Sequence, residues 1–210
     1  MGLYNRILGH PFVYKKIRPL VVGGIDMSAA YRSLQTDASS VVLDIGCGTG
    51  AALGYLNKSF QTYVGIDVDE VVIRFARERH HNEPNVSFEC RMCCDRDMVE
   101  IQPTHVVLGG LLHHLDDKMS IELLEMVQKS PRLVRALTID IVYLKGALVN
   151  NLLARLDRGK FCRYEEQYYD LVSKSGMSRA AAEITRSHPD SERVKYLVMT
   201  LEPGKKPAMS

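Results

Sequence analysis

Val41-Val42-Leu43-Asp44-Ile45-Gly46-Cys47-Gly48-Thr49-Gly50 decides how the rest of the chain is read. Apolar, β-favouring residues run into an acid and then into glycines at every second position. Such a run predicts a buried strand that ends in a glycine-rich turn. Ala51, Ala52, Leu53 and Leu56 follow, so the turn is expected to open directly into a helix. Strand, glycine turn and helix together build the nucleotide crevice at the carboxyl ends of a doubly wound sheet.

Spacing separates the ligands that such a crevice takes. A dinucleotide fingerprint needs G-x-G-x-x-G, with the pyrophosphate resting on the helix N-terminus. Here the third glycine comes one residue early, and Asp44 stands two residues before the first. A carboxylate at that place repels a pyrophosphate and suits a cationic ligand. Tyr63-Val64-Gly65-Ile66-Asp67 is a second apolar strand ending in an acid. A carboxylate there can accept hydrogen bonds from a ribose diol. Several kinds of nucleotide site share that requirement, so Asp67 alone does not choose between them. Asp69 is the expected N-cap of the helix that follows.

Together, D-x-G-x-G-x-G from Asp44 to Gly50 and Asp67 one strand later resemble the class I S-adenosylmethionine-dependent methyltransferases. The resemblance implies an α/β fold, a Rossmann-like doubly wound sheet of seven strands with helices on both faces. The sheet would be mostly parallel, with an antiparallel last strand. It also implies S-adenosyl-L-methionine as cofactor and S-adenosyl-L-homocysteine as product. Gly46, Cys47, Gly48 and Gly50 would then lie along the methionine part, with Asp44 close by. Asp67, followed by Val68, would take the ribose. Many members carry an acid shortly after the third strand, bonded to the adenine amino group. Here Asn85–Glu89 reads as that strand, followed by Cys90-Arg91-Met92-Cys93-Cys94, with Asp95 only later. Met92 and Cys93 are therefore expected to line the ring. Gly109, opening the Gly109-Gly110 turn after the strand at His105–Leu108, is expected beside the crevice.

Leu112-His113-His114-Leu115 is similar to a string that passes the reactive methyl in small-molecule members of the family. Adjacent residues face different ways, so one histidine is expected toward the pocket and the other behind it. A fifth strand over Leu133–Ile139, ending at Asp140, would neighbour the fourth and bring His113 and Asp140 to one rim. His113 is then the expected general base, Asp140 its orienting partner and His114 its rival. An amine or thiol acceptor would need neither.

The chain's 210 residues suffice for one full core, and a single domain over 1–210 is expected. Its 27 Lys and Arg against 25 Asp and Glu point away from nucleic acid as a partner. Five cysteines without a disulfide framework suit a reducing, cytoplasmic setting. No apolar run has membrane-spanning length, and the first residues lack a signal-peptide core. Cys90, Cys93 and Cys94 near His80-His81 raise zinc, but the two clusters flank a strand without a second C-x-x-C, and no metal is expected.

Within the domain, residues 1–40 read as an N-terminal helical lid in which Tyr4, Tyr14 and Arg18 could meet the ligands. Residues 41–142 form the cofactor-binding core, 143–176 a lid insertion and 177–201 a C-terminal hairpin of strands over Arg179–Arg186 and Val194–Leu201. In the insertion Leu148, Val149, Leu152, Leu153 and Leu156 make an apolar face among Lys145, Arg155, Arg158, Lys160 and Arg163. Such helices more often cover a core than lie on a membrane; a substrate lid is expected here, and peripheral membrane contact through 145–163 is the other use.

The implied reaction is methyl transfer to a small-molecule acceptor, with a hydroxyl expected. The alternatives are a non-catalytic module that binds the cofactor and a protein partner, and a nicotinamide-dependent oxidoreductase. The early third glycine and Asp44 argue against the second.

Overall fold

The computed structural model describes residues 27–56, 60–157, 159–188 and 191–204. The expected contacts of Tyr4, Tyr14 and Arg18 lie outside these residues, as does most of the expected N-terminal lid.

The strands are β1 (Val41–Ile45), β2 (Thr62–Asp67), β3 (Val86–Cys90), β4 (His105–Gly109), β5 (Arg135–Tyr143), β6 (Arg163–Tyr164), β7 (Ser178–His188) and β8 (Ser191–Glu202). They form one sheet in the order β3-β2-β1-β4-β5-β8-β7, with the two-residue β6 added to β5. Pairing is parallel from β3 through β5 and antiparallel between β5 and β8 and between β8 and β7. The chain leaves β1 on one side for β2 and β3, then returns to β1's other side for β4. That reversal opens a crevice between the carboxyl ends of β1 and β4.

Every residue of β1 is buried, as an apolar run covered on both faces must be. The period of two divides it. Val42 joins a core with Tyr63, Ile73 and Leu137, while Leu43 and Ile45 join a second core with Met98, Leu124 and Tyr168 on the opposite face. Asp44 shares Val42's face, so its carboxylate begins inside a core and ends at the crevice.

The α-helices among the described residues are α1 (Ser28–Arg32), α2 (Glu70–Arg79), α3 (Asp95–Glu100), α4 (Asp117–Val127), α5 (Leu148–Leu156) and α6 (Glu165–Lys174). Asp69 caps α2 by accepting from the Val71 amide at 2.9 Å, and Asp116 caps α4 through Met119 at 2.8 Å.

Three elements differ from expectation. After the glycines comes a short 3-10 turn over Ala51–Gly54, not the start of a described α-helix. No side chain caps this turn, and Gly54 closes it. β5 continues past Asp140 to Tyr143, because β8 pairs it through Ile141 and β6 through Tyr143. The apolar stripe of α5 points outward: Leu148 is 83% exposed, and Val149, Leu152 and Leu156 are exposed with it. What α5 buries is Asn150 and Ala154. Asn150 donates to the Val142 carbonyl at 2.8 Å and accepts from the Lys195 amide at 2.8 Å, so a polar side chain fastens the helix to β5 and β8.

Candidate active site

A cavity of about 1330 Å³ occupies the crevice. It exceeds the roughly 300–1,000 Å³ of ordinary small-molecule sites, which suits two ligands side by side. Its wall includes Asp44, Gly46, Cys47, Gly48, Asp67, Val68, Met92, Cys93, Gly109 and His114 among the residues singled out in the sequence.

The glycine loop is held against the end of β2. The amides of Gly46 and Cys47 both donate to the Ile66 carbonyl, at 2.8 and 3.2 Å. The Gly48 amide donates to Asp67 Oδ2 at 2.9 Å, and the Asp69 amide to Asp67 Oδ1 at 3.0 Å. Both carboxylate oxygens are thereby fixed in direction, and each retains a further lone pair for a ligand. Gly48 has φ +54°, and among the described residues no atom beyond its chain neighbours lies within 4 Å of where its Cβ would be. The space beside it belongs to the cavity. Gly50 is different: it is not on the wall and packs beneath the Phe88 ring, so its expected ligand contact is replaced by a packing role.

Asp44 is buried and accepts a hydrogen bond from the Tyr63 hydroxyl at 2.5 Å. Burial raises its pKa to about 7 against the opposing Tyr63 bond, with a smaller push from the Asp67 charge. A carboxylate so destabilised gains most from a cation placed beside it. Tyr31 and Tyr55 add an aromatic wall, stacked 5.4 Å apart at 9°. No pattern in the sequence marks either tyrosine as a wall residue.

Beyond β3, Met92 reaches into the opening at 76% exposure, and burial pushes the Cys93 thiol up to about 12. Asp95 lines the cavity too, but pairs with Lys129 at 2.6 Å. Asp97, which the sequence did not single out, is taken by Arg91 through two bonds of 2.7 and 2.8 Å. His80 is taken up by Glu83 at 2.9 Å and the Phe88 ring, away from the cysteines.

At the other end of the cavity, the strand order does bring His113 and Asp140 together. His113 Nδ1 stands 2.8 Å from Asp140 Oδ1, which also accepts the His113 amide at 3.1 Å. Both side chains are 1% exposed, and neither lines the cavity. Nε2 of His113 faces Asp157 Oδ2 at 3.3 Å. Burial would depress this imidazole's pKa, but the bond to Asp140 and the charges of Asp140 and Asp157 prevail and raise it to about 9. A ring sealed between two carboxylates and off the cavity wall does not meet a bound acceptor, and the expectation for His113 as base is corrected. The exposed neighbour His114 is the imidazole on the wall.

Arg163 anchors this end. It is 4% exposed, donates to the carbonyls of Leu112, Leu115 and Phe161 at 2.8–3.0 Å, and pairs with Asp117. It welds the double-histidine segment to the insertion that carries Asp157. The sequence had placed it among the solvated cations around a lid helix.

A family model described as a methyltransferase domain matches residues 42–132. From β1 through α4 the chain is similar to a methyltransferase domain. Among curated proteins, a Mycobacterium tuberculosis protein named as a methyltransferase is 43% identical over 56 residues, covering 26% of this chain and 34% of that one. Phosphoethanolamine N-methyltransferase 1 of Triticum aestivum is 26% identical over 121 residues, 56% of this chain and 23% of its own length. The matched stretches thus span only about a third and a quarter of these relatives. Among solved structures, a chain in the Haloferax volcanii complex of the Trm112 methyltransferase activator with a methyltransferase superposes with TM-score 0.73 at 12% identity, over 97% of this chain and 99% of that one. A Bacillus halodurans structure gives 0.67 at 11% identity, over 86% and 99%.

The cofactor of the methyltransferase class is S-adenosyl-L-methionine. The residues present fit it: an acid with a raised pKa for a cationic group, an oriented carboxylate in Asp67 for a diol, and open space over Gly48.

Proposed function

We propose that the protein methylates a small, partly apolar acceptor, with a hydroxyl as the accepting group. One observation carries the reading: a single cavity joins the Asp44–Asp67 end to a wall bearing His114, with room for cofactor and acceptor together. Asp44, the Gly46–Gly48 loop and Asp67 would hold the cofactor, with Val68, Met92, Cys93 and Gly109 around it.

The cofactor supplies a methyl carbon on a sulfonium, whose leaving group departs as a neutral thioether. The protein therefore has no anion to stabilise on the leaving side. Its main task is to hold the acceptor in line with the methyl, a contribution that reaches roughly 7–11 kcal/mol in well-oriented systems. Leu111, Leu115, Met119 and Leu123 make the wall around His114 apolar, which keeps water from competing as acceptor. His114 is the group that meets the acceptor oxygen.

The test has two arms. In calorimetry the protein should bind S-adenosyl-L-homocysteine. With radiolabelled S-adenosyl-L-methionine it should methylate phenols or alcohols in preference to amines, phosphoethanolamine included, and to RNA. Label transferred to RNA or to amines alone would overturn the acceptor class. Absence of homocysteine-ligand binding by folded protein would overturn the cofactor site.

A further inference from the structure

We propose that His113, His114 and Asp157 form a site for one divalent transition-metal ion at the acceptor end of the cavity. Each side chain offers one ligand atom, and the three atoms lie within 4.8 Å of one another. A tetrahedral ion with bonds of roughly 2.1 Å sets its ligands about 3.4 Å apart. His113 Nε2 and Asp157 Oδ2 already stand at 3.3 Å. His114 is the exposed member, on the cavity wall, and closes the remaining distance by turning its side chain.

His113 supplies an independent observation. Its Nε2, on a side chain 1% exposed, stands 3.3 Å from Asp157 Oδ2 and has no other partner among the described residues. The opposite nitrogen is committed: Asp140 Oδ1 takes both the Nδ1 proton and the backbone amide of the same residue. This double tie fixes the ring plane and aims Nε2 at the gap. A carboxylate behind an imidazole is how proteins orient a histidine that ligates a metal. Asp157 is steadied in turn, accepting the Gly159 amide at 3.0 Å.

Charge and ligand type choose the ion. Asp140 and Asp157 together balance a dication, and two imidazoles with one carboxylate suit zinc, manganese, iron or cobalt over calcium or magnesium. The remaining coordination positions open past His114 into the cavity.

This inference rests on the proposed methyl transfer to a hydroxyl and supplies the means of activating it. An ion there draws electron density from an acceptor oxygen and lowers its pKa. The O–H proton passes to solvent, the oxygen–carbon bond forms, and the carbon–sulfur bond breaks to release the thioether. Asp140 is a positioning residue in this arrangement.

The experiment titrates chelator-treated full chain with Co²⁺, followed by visible absorption, and with Zn²⁺, followed by calorimetry. S-adenosyl-L-homocysteine binding is measured on the same samples. One ion per chain is expected, with cobalt ligand-field bands. His114→Ala and Asp157→Ala, both at accessible side chains, should each abolish the bands while sparing homocysteine-ligand binding. Asp140→Asn should weaken metal binding by about 10–100-fold, the usual cost of losing a partner behind a ligand. Absence of stoichiometric uptake by folded protein would overturn the site. So would cobalt bands that survive both alanine variants. Metal uptake without homocysteine-ligand binding would uphold the site and sink the cofactor reading, and the reverse result would do the opposite.

Discussion

The two ends of the cavity are built by different means. At the cofactor end, backbone does the shaping: a loop of glycines, pinned by two amides on the Ile66 carbonyl and one on Asp67, with Asp44 and Asp67 one strand apart. At the acceptor end, side chains do it. His113, Asp140, Asp157 and Arg163 come from four separate segments and meet only because β4, β5 and the insertion are packed together. The cofactor end should therefore lose ligand when mutated and keep its fold. At the acceptor end the buried weld, Arg163, should instead lose stability when it is removed.

Arg163 gives the largest effect. Its guanidinium is buried among three carbonyls and pairs with Asp117, whose side chain is 76% exposed, so Arg163→Ala leaves the carbonyls unpaired. A buried acceptor left unsatisfied costs about 1–3 kcal/mol. Urea unfolding should show that loss. A midpoint equal to wild type would break the comparison, since the weld would then carry nothing.

Asp44 comes next, with the opposite sign. Burial holds its folded pKa at about 7, above the ordinary carboxylate value of 3.8, so the native state binds this proton more tightly than the unfolded state. Native stability is then penalised as pH rises through that window. At roughly 1.4 kcal/mol per unit, the penalty reaches about 4 kcal/mol above pH 7. Asp44→Asn should stabilise the ligand-free protein at pH 8 and change little at pH 4. The same variant should bind S-adenosyl-L-homocysteine poorly. Wild-type affinity should rise from pH 6 to pH 8 as Asp44 loses its proton, and the variant's should stay flat. A variant less stable than wild type at pH 8 would show that the carboxylate is comfortable where it lies.

Asp67 sharpens the contrast further. Asp67→Ala should cost about 1.5–3 kcal/mol of homocysteine-ligand affinity, the worth of hydrogen bonds to a charged group. Its own stability loss should be smaller, because the Gly48 and Asp69 amides it accepts lie at the crevice rim, within reach of water. Comparing calorimetry with thermal unfolding of the same variant separates the two. A large fall in melting temperature with unchanged affinity would reverse the roles of the two ends.

What the sequence made legible follows the same division. Asp44, the glycine spacing and Asp67 are local signals, and all but Gly50 stand on the cavity wall. The strand order that joins His113 to Asp140 was also readable, because parallel neighbours β4 and β5 follow from the glycine crevice. Whether that pair is exposed was not, since it depends on Asp157, which the insertion brings back over His113. Asp157 and Arg163 look like ordinary members of a charged helix border. Nothing in their neighbourhood marks them as buried partners of a segment that lies far away in the chain. Tyr31 and Tyr55 were missed for the same reason: stacking across two segments leaves no pattern within either.

The smallest effect is expected at α5, where periodicity gave the wrong side. Leu148, Val149, Leu152 and Leu156 repeat at helical spacing, which normally marks the face turned to a core. Here that face is exposed, and Ala154 and the doubly bonded Asn150 face β5 and β8 instead. The helix is held by the two Asn150 bonds, by Asn151, which accepts from the Leu144 amide at 2.9 Å and donates to its carbonyl at 2.8 Å, and by Ala154, whose size allows close approach. Leu152→Asp should then shift stability by less than about 0.5 kcal/mol, as surface substitutions do. Ala154→Leu, forced into a packed interface, should cost about 1–3 kcal/mol. Were the leucines covering a core, the order of the two would invert, because Leu152→Asp would bury an unpaired charge. Unfolding curves for the two variants therefore decide which face of α5 the protein uses, and the outward stripe stands only if Leu152→Asp is the milder change.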